Sequence, residues 1–202
     1  MVHMTHYFTD NRDLPHHYHT ISFTCRGRSL SFVSDSGVFS KDEVDTGSEI
    51  LIEAALDAGV NGEVLDMGCG YGTIGITVGV LVPSAKITMA DINPRACELA
   101  EANAAKNETD CRVLVSDGFT GIEGRFDWIL MNPPIRTGKK VIYPMFRDAF
   151  AHLKEGGTML AVIRRKQGAE SALKMWQVEF GSGEVISREK GFWILKSKRL
   201  TG

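Results

Sequence analysis

The first part of the chain contains two short runs in which apolar and polar residues alternate. Positions 21–26 and 28–34 alternate in this way on either side of Gly27. A period of two is typical of half-buried β-strands, and a glycine between two such runs favours a tight turn. The pattern therefore predicts a β-hairpin. We interpret residues 1–45 as a tail that carries this hairpin and residues 46–202 as the main domain.

Beyond residue 45, short apolar runs alternate with segments whose apolar positions recur at helical spacing. Thr46 or Ser48 is predicted to cap the first helix, and Gly59 to end it. Apolar runs predict strands at 63–67, 86–90, 112–116, 127–131, 158–163, 184–188 and 192–198. Helical spacing predicts helices at 73–82, 94–106, 143–153 and 169–180.

Strands and helices that alternate along a chain are characteristic of a parallel sheet covered by helices on both faces. Right-handed crossovers then make the sheet doubly wound, so the sequence predicts an α/β fold of this type. The last two strands are joined only through a short connection at Lys190 and Gly191. A connection this short predicts that these two strands are antiparallel and lie at one edge of the sheet.

Composition narrows the class of protein further. The 202 residues are 43% hydrophobic and 24% charged, values typical of one globular domain and unlike a disordered, collagen-like or coiled-coil chain. The apolar runs are too short for a membrane span, so we expect a cytoplasmic protein without a membrane partner. Four cysteines stand far apart without a CxxC pair, which predicts neither a disulfide framework nor a metal site.

Charge is unevenly divided along the sequence. Residues 1–135 carry 9 Lys and Arg against 19 Asp and Glu, whereas residues 136–202 carry 14 against 6. A basic segment of this kind is typical of a surface that binds a polyanion such as RNA. The alternative is that these residues form an ordinary solvated face.

The segment 64–72 is a predicted strand that leads directly into a glycine-rich turn and a helix. Ligands bind at this end of parallel strands, where glycines allow a bound molecule to approach the backbone amides. Gly70, Gly72 and Gly75 also fit the GxGxxG pattern of dinucleotide sites. Asp66, at the end of the strand, is unfavourable beside a pyrophosphate but favourable beside an ammonium group. The alternative is a loop that only caps the helix.

Two further acidic residues follow the next two predicted strands. Asp91 can accept hydrogen bonds from both hydroxyl groups of a ribose, which indicates a nucleoside ligand. Asp117 can accept a hydrogen bond from an adenine amino group, and Phe119 can cover the ring. Each aspartate alone is also compatible with a simple turn. Three acidic residues at successive strand ends favour one shared ligand.

An apolar strand at 127–131 ends in Asn132, Pro133 and Pro134. Each proline fixes its own φ, and Pro133 favours an extended conformation at Asn132, so this edge is stiff. An amide oxygen beside carbonyl groups is suited to accept two hydrogen bonds from an NH₂ group and to orient the nitrogen lone pair. The alternative is a turn that only ends the strand.

Together these motifs resemble the class I S-adenosylmethionine-dependent methyltransferases. The resemblance rests on DxGxG at 66–70, the ribose acid Asp91, residues 117–119 and residues 132–135. More narrowly, the chain is similar to the small, single-domain relatives of the bacterial small-subunit ribosomal RNA guanine-N2 methyltransferases. The segments that carry this similarity are 37–40, 45–48, 132–140 and 166–168.

The resemblance implies a Rossmann-like fold with a seven-stranded sheet and an antiparallel last strand. It implies S-adenosylmethionine as cofactor, and RNA, either ribosomal RNA or the small ribosomal subunit, as partner. Members that methylate glutamine or adenine often carry Tyr or Phe after the two prolines, whereas this chain has Ile135, which favours the exocyclic N2 amine of guanine. We expect a monomer that uses no metal.

The resemblance and the motifs together predict three groups of site residues. Predicted cofactor-binding residues are Asp66, Gly68, Cys69, Gly70, Asp91, Ile92, Asn93, Asp117, Gly118, Phe119 and Asn132. Predicted catalytic residues are Asn132, Pro133, Pro134 and Ile135. Predicted substrate-binding residues are Phe39, Ser48, Arg136, Lys139 and Lys140, with Arg164, Arg165 and Lys166 as further candidates for phosphate contacts.

Other functions stay open at this point. The acceptor could be another amine, such as adenine N6 or a protein glutamine. The GxGxxG pattern is compatible with a nicotinamide-dependent oxidoreductase, although the chain lacks an evident pair of hydride-site residues. A non-catalytic RNA-binding module is a third possibility, against which the intact Asn132, Pro133 and Pro134 argue.

Overall fold

The computed structural model describes residues 17–35, 43–134 and 137–200. Its strands are β1 (His19–Cys25), β2 (Arg28–Ser34), β3 (Glu63–Met67), β4 (Lys86–Asp91), β5 (Cys111–Val115), β6 (Phe126–Met131), β7 (Leu153–Arg164), β8 (Glu184–Glu189) and β9 (Phe192–Lys198). Its helices are α1 (Thr46–Asp57), α2 (Thr73–Leu81), α3 (Pro94–Lys106), α4 (Lys139–Ala151) and α5 (Ala169–Glu179).

Seven of the strands form one sheet in the order β5-β4-β3-β6-β7-β9-β8. Strands β3 to β7 are parallel, and β9 is antiparallel to both β7 and β8. The α/β fold and the antiparallel last strand are therefore confirmed. The chain begins this sheet at β3, winds outward to β5 and returns to β6, so the order reverses between β3 and β6. Open α/β sheets bind ligands at the carboxyl ends of the strands on either side of this reversal.

Two apolar clusters cover the two faces of the sheet. Helices α1, α2 and α3 pack on one face with the β1–β2 hairpin, and α4 and α5 pack on the other. Neighbouring residues of β6 alternate between the clusters, since Leu130 belongs to the first and Met131 to the second. This alternation follows from the pleat of a strand. Asn132, the next residue, lies on the α1 side.

Some predicted boundaries are wrong. The cap of α1 is Asp45, not Thr46 or Ser48, because its carboxylate accepts a hydrogen bond from the Ser48 amide at 3.0 Å. Helix α4 begins at Lys139, four residues earlier than predicted, and contains Pro144. Pro144 is the sixth residue of α4 and has no amide hydrogen to donate to the Lys140 carbonyl, so the helix lacks one of its hydrogen bonds there. Strand β7 begins at Leu153 instead of residue 158.

The β1–β2 hairpin is held against α3 by two asparagine side chains one helical turn apart. Asn103 accepts from the Val33 amide at 2.7 Å and donates to the Val33 carbonyl at 2.9 Å. Asn107 makes the same pair of contacts with Ser31, at 3.0 and 2.9 Å. The two side chains thus satisfy backbone groups that a neighbouring strand would otherwise pair. The predicted hairpin is confirmed, and Ile21, Leu30 and other apolar residues of it are buried in the same core as α1 and α2.

Within the described ranges, no helix is long and apolar enough to cross a membrane. The same part of the chain contains no cluster of three or more His, Cys, Asp or Glu residues that could hold a metal ion.

Candidate active site

The glycine-rich loop after β3 contains two kinds of glycine. Gly68 and Gly70 have φ values of 76° and 54°, and a Cβ built on either would meet no atom within 4 Å. Gly72 and Gly75 are packing positions, since an added Cβ would lie 2.6 Å from Ile76 and 2.7 Å from Met89 respectively. The open, ligand-accessible pair is therefore Gly68 and Gly70. This arrangement follows the DxGxG motif and not the spacing of the GxGxxG pattern.

Asp66 is fully buried at the end of β3. One carboxylate oxygen accepts a hydrogen bond from the Gly75 amide at 2.8 Å, and the other, Oδ1, has no hydrogen-bond partner. The pKa of Asp66 is raised from 3.8 to about 7, because burial and, less strongly, the charge of Asp91 raise it more than the hydrogen bond from Gly75 lowers it. A buried carboxylate with one unsatisfied oxygen favours a cationic partner, because a nearby positive charge would restore the ionised form.

Asp91 connects β4 to the glycine-rich loop. One oxygen accepts from the Gly70 amide at 2.9 Å and the other from the Asn93 amide at 2.9 Å. Burial raises the pKa of Asp91, while the backbone hydrogen bonds from Asn93, Gly70 and Ile92 lower it. These backbone contacts leave further lone pairs on the carboxylate, so it can still accept hydrogen bonds from a ligand.

Two of the predicted cofactor-binding residues, Asn93 and Cys69, make hydrogen bonds within the protein. The Asn93 side chain caps α3 by accepting from the Arg95 amide at 3.0 Å. Cys69 is a buried thiol that donates to the Gly70 carbonyl, and a hydrogen bond with Cys97 together with burial raises its pKa well above the usual range. Cys69 is therefore a neutral packing group and not a nucleophile.

The third acidic turn differs from the first two. Asp117 is exposed, and its carbonyl accepts from the Thr120 amide at 3.2 Å and hydroxyl at 2.8 Å. Phe119 is buried in the cluster on the α4 side, with its ring centroid 4.8 Å from that of His152. Gly118 has a φ of 54°. The structure thus gives Phe119 a packing role, and its predicted contact with adenine stays a prediction.

Asn132, at the end of β6, is held by the first residues of α1. Its Nδ2 atom donates to Asp45 Oδ2 at 2.8 Å and to Ser48 Oγ at 3.1 Å. Both amide hydrogens are thereby used, and the amide oxygen is left as the hydrogen-bonding atom that Asn132 can present to a ligand. Ser48 contacts Asn132, and its predicted role in substrate binding stays a prediction. Asp45 belongs to the segment 45–48, which the family resemblance places at the cofactor or target pocket, but its contact with Asn132 was not predicted.

Beyond Asn132 the carboxyl edge of the sheet is basic. Lys140, Arg164, Arg165 and Lys166 are exposed at the start of α4 and the end of β7. The Arg164 guanidinium lies 4.3 Å from the centroid of the Phe192 ring. Lys139, which is also exposed there, donates to Ser171 Oγ at 3.1 Å, and Arg165 pairs with Glu170 at 3.3 Å. The charge asymmetry of the sequence is thus partly gathered at one end of the sheet.

Three predicted site residues, Phe39, Ile135 and Arg136, lie outside the described residues. For the others, the structure brings Asp66, Asp91 and the open glycines together at the ends of β3 and β4, and it places Asn132 at the end of β6, the strand that pairs with β3 on its other side. None of these positions tests a contact with cofactor or substrate, so the assigned roles remain predictions.

This fold is a Rossmann-like methyltransferase fold. Residues 29–196 match the family model described as "Methyltransferase small domain", and the chain belongs to that family. The resemblance seen in the sequence is therefore confirmed.

Comparison with individual proteins gives the same family. The chain is 40% identical over 198 residues to the uncharacterized protein YbxB of Bacillus subtilis, covering 96% of this chain and 98% of that protein. It is 39% identical over 174 residues to ribosomal RNA small subunit methyltransferase C of Haemophilus influenzae, covering 84% of this chain and 52% of that enzyme. The chain thus spans nearly all of the first relative but about half the length of the curated ribosomal RNA methyltransferases.

Among solved structures, the chain is similar to the Thermus thermophilus 16S rRNA N2 G1207 methyltransferase in complex with AdoMet and guanosine. The TM-score is 0.82 at 25% identity, with 92% of this chain and 52% of that chain covered. A methyltransferase from Pyrococcus furiosus shares the fold, with a TM-score of 0.66 at 22% identity and coverage of 78% and 85%.

Proposed function

We propose that this protein transfers a methyl group from S-adenosylmethionine to the exocyclic N2 amine of a guanine in ribosomal RNA. The observation that carries the proposal is the orientation of Asn132. Its Nδ2 atom is bound to Asp45 and Ser48, so its amide oxygen is the atom that a substrate can meet. An amide oxygen accepts a hydrogen bond from an N–H group, which suits an amine as the methyl acceptor.

S-adenosylmethionine is the cofactor, and the residues present fit it. The orphaned oxygen of Asp66 suits a positively charged group, and the open space at Gly68 and Gly70 leaves room for a ligand against the backbone. A cofactor that is cationic at its amino group and sulfonium is favoured here over a dinucleotide, whose pyrophosphate would meet the carboxylates of Asp66 and Asp91.

Each part of the cofactor has candidate partners. Asp66 and the backbone of Gly68, Cys69 and Gly70 hold the methionine portion. Asp91, with Ile92 and Asn93 beside it, accepts the ribose hydroxyls. Asp117, Gly118 and Phe119 surround the adenine. When bound, the cofactor supplies an electrophilic methyl group whose electron pair remains with sulfur as the methyl leaves.

The protein's contribution to the transfer is to position the amine. The Asn132 oxygen and the Pro133 carbonyl accept the two N–H hydrogens, which directs the nitrogen lone pair away from both. Pro133 and Pro134 restrict the backbone, so the acceptors are held in place before the substrate arrives. The nitrogen releases one proton to water after transfer, and a separate general base is therefore unnecessary.

RNA as the substrate class is supported by the basic end of the sheet and by the relatives. Lys139 and Lys140 at the start of α4, with the cations that follow β7, can contact phosphates near the amine site. The Thermus thermophilus relative is a methyltransferase for N2 of a guanine in 16S rRNA. We extend that substrate to this shorter chain.

Methyl transfer from labelled S-adenosylmethionine tests the proposal. The acceptors are naked ribosomal RNA, isolated small subunits and total protein, and the labelled product is identified by nucleoside analysis. Label in N2-methylguanosine is the expected result. Label in N6-methyladenosine or in glutamine would overturn the acceptor while keeping the cofactor, and cofactor binding without transfer to any of them would overturn the enzymatic function.

A further inference from the structure

Three side chains from two separate elements form a closed hydrogen-bonded triangle at the methyl-transfer site. Asp45 Oδ2 accepts from Asn132 Nδ2 at 2.8 Å, and Ser48 Oγ accepts from the same nitrogen at 3.1 Å. The Ser48 hydroxyl also contacts Asp45 Oδ2 at 3.5 Å. We refer to Asp45, Ser48 and Asn132 as the amide clamp. Asp45 and Asn132 are separated by 87 positions, so only the tertiary fold creates it.

The amide clamp fixes which end of the Asn132 amide faces outward. A half-turn of the amide would place its oxygen against the carboxylate of Asp45, where two acceptors would repel each other without a hydrogen between them. Asparagine can otherwise adopt either orientation at similar cost. The negative charge of Asp45 therefore excludes the orientation in which Asn132 would offer a donor to the substrate.

Gly47 leaves space for the Asp45 carboxylate in the amide clamp. A Cβ at this position would lie 2.9 Å from Asp45 Oδ2, 3.1 Å from Phe192 Cε1 and 3.6 Å from Asn132 Nδ2. The first of these distances is shorter than a carbon atom tolerates. The glycine is therefore required for space, since its φ lies outside the left-handed region.

We infer that Asp45 is a positioning residue for methyl transfer, acting on the substrate through Asn132. This inference rests on the proposed function. A carboxylate that accepts from the amide nitrogen polarises the amide and makes its oxygen a stronger acceptor. The strengthened oxygen binds the N–H group of the acceptor amine more tightly as positive charge develops on that nitrogen, so the effect belongs to the transition state and to kcat.

Asp45 also caps α1, and the test must separate these two roles. Asp45→Ser keeps a good helix cap but is too short to reach Asn132 as well. Asp45→Asn keeps an oxygen that can accept from both the Ser48 amide and Asn132, without the charge. Glu53→Gln is a matched control, because it removes a carboxylate from the same helix at a position that pairs with Arg26 and not with the amide clamp.

For these variants we expect kcat to change without a matching change in the melting temperature. Asp45→Ser should lower kcat on the order of 10²-fold, with the KM for S-adenosylmethionine and the melting temperature close to those of the parent. Asp45→Asn should recover at least about tenfold of that loss. Glu53→Gln should leave kcat within about twofold. Equal kcat values for Asp45→Ser and Asp45→Asn, or a loss that follows the melting temperature, would overturn the inference.

A second measurement does not depend on any RNA substrate. In ¹⁵N-labelled protein, the two side-chain amide protons of Asn132 should be protected from exchange with solvent, and Asp45→Ser should remove the protection while Asp45→Asn retains it. Absence of protection in the parent protein would overturn the amide clamp itself. Protection that follows this pattern, together with no transfer to any guanine, would support the amide clamp and reject the proposed substrate.

Discussion

The two halves of the carboxyl edge of the sheet differ in charge and in burial. On one side, β3 and β4 end at two aspartates beside a glycine-rich loop, Asp66, which is buried, and Asp91, which is half-buried. On the other side, β7 ends at the exposed cations Arg164, Arg165 and Lys166. The neutral amide of Asn132 lies at the end of β6, between them. The difference favours two ligands of opposite charge, and in the proposed function they meet at this uncharged group.

Burial determines how each half can act. The acidic half is shielded from water, so a small cation bound there interacts strongly and is little affected by salt. The basic half is exposed, so each contact with a phosphate is weak and depends on salt. Tight binding there requires several such contacts at once. A small cofactor and a large polyanion are the ligands that these two environments favour.

The largest expected effect on kcat comes from Asn132, which lies between the acidic and the basic half. Asn132→Ala should reduce kcat by about 10³-fold, because it removes an acceptor that orients the reacting amine. The affinity for S-adenosylmethionine, measured by calorimetry, should change by less than about threefold, since the acidic half is left intact. Parallel losses of turnover and cofactor affinity would show that Asn132 belongs to the cofactor half instead.

The next effect concerns the acidic half. Asp66→Asn should weaken S-adenosylmethionine binding by about 10²-fold, because the amide cannot balance a cation. Since burial raises the pKa of Asp66 to about 7, the parent protein should bind the cofactor more tightly as pH rises toward 8. The variant should lose that part of the pH dependence. Calorimetric titrations at pH 6, 7 and 8 test both statements.

Asp66→Asn, which should weaken cofactor binding, should stabilise the ligand-free protein at pH 8. The folded protein keeps the Asp66 proton up to about pH 7, whereas an exposed aspartate releases it near 3.8. The free energy of unfolding of the ligand-free protein therefore falls as pH rises from about 4 to 7 and levels off above that range. At pH 8, ligand-free Asp66→Asn should melt at least about 2 °C above the parent. A lower melting temperature would contradict the cost assigned to the buried charge.

Smaller effects are expected from the basic half. Lys140→Ala and Lys166→Ala should each raise the KM for RNA by about three- to tenfold and reduce the salt slope of RNA binding by about one. Cofactor affinity should stay constant. Lys86→Ala is the matched control, because Lys86 lies at the opposite, amino end of β4 and pairs with Glu63. An equal effect of the control would indicate general electrostatic attraction without a defined binding surface.

The smallest effect on catalysis should come from the hairpin. Asn107→Ala removes two hydrogen bonds to Ser31 and should lower the free energy of unfolding by about 1–3 kcal/mol, measured by urea denaturation. Turnover should change by less than about twofold, since Asn107 contacts neither half of the edge. A large loss of cofactor affinity would mean that the hairpin supports the glycine-rich loop. The two are neighbours, since the ring centroid of Phe32 in the hairpin lies 5.9 Å from that of Tyr71 in the loop.

Local patterns in the sequence determined the order of the elements and the residues at the ends of the strands. The glycines after β3, the aspartates after β3 and β4 and the Asn-Pro-Pro turn after β6 could be recognised because each motif occupies a few consecutive residues. The period of apolar positions also located the seven strands of the main sheet, although the start of β7 was placed five residues too late. Local signals were sufficient to predict a motif or an element wherever its residues are neighbours in the chain.

Only the tertiary structure decided how distant residues combine. It inserted β9 between β7 and β8, docked the hairpin on Asn103 and Asn107, and brought Asp45 to Asn132. It also separated the open Gly70 from the packed Gly72 and Gly75, although the GxGxxG pattern treats these three glycines alike. Hydrogen bonds between elements depend on the packing of whole helices and strands, and the sequence does not record that packing locally. The sequence therefore identified the chemical groups, and the fold determined which of their atoms face a ligand.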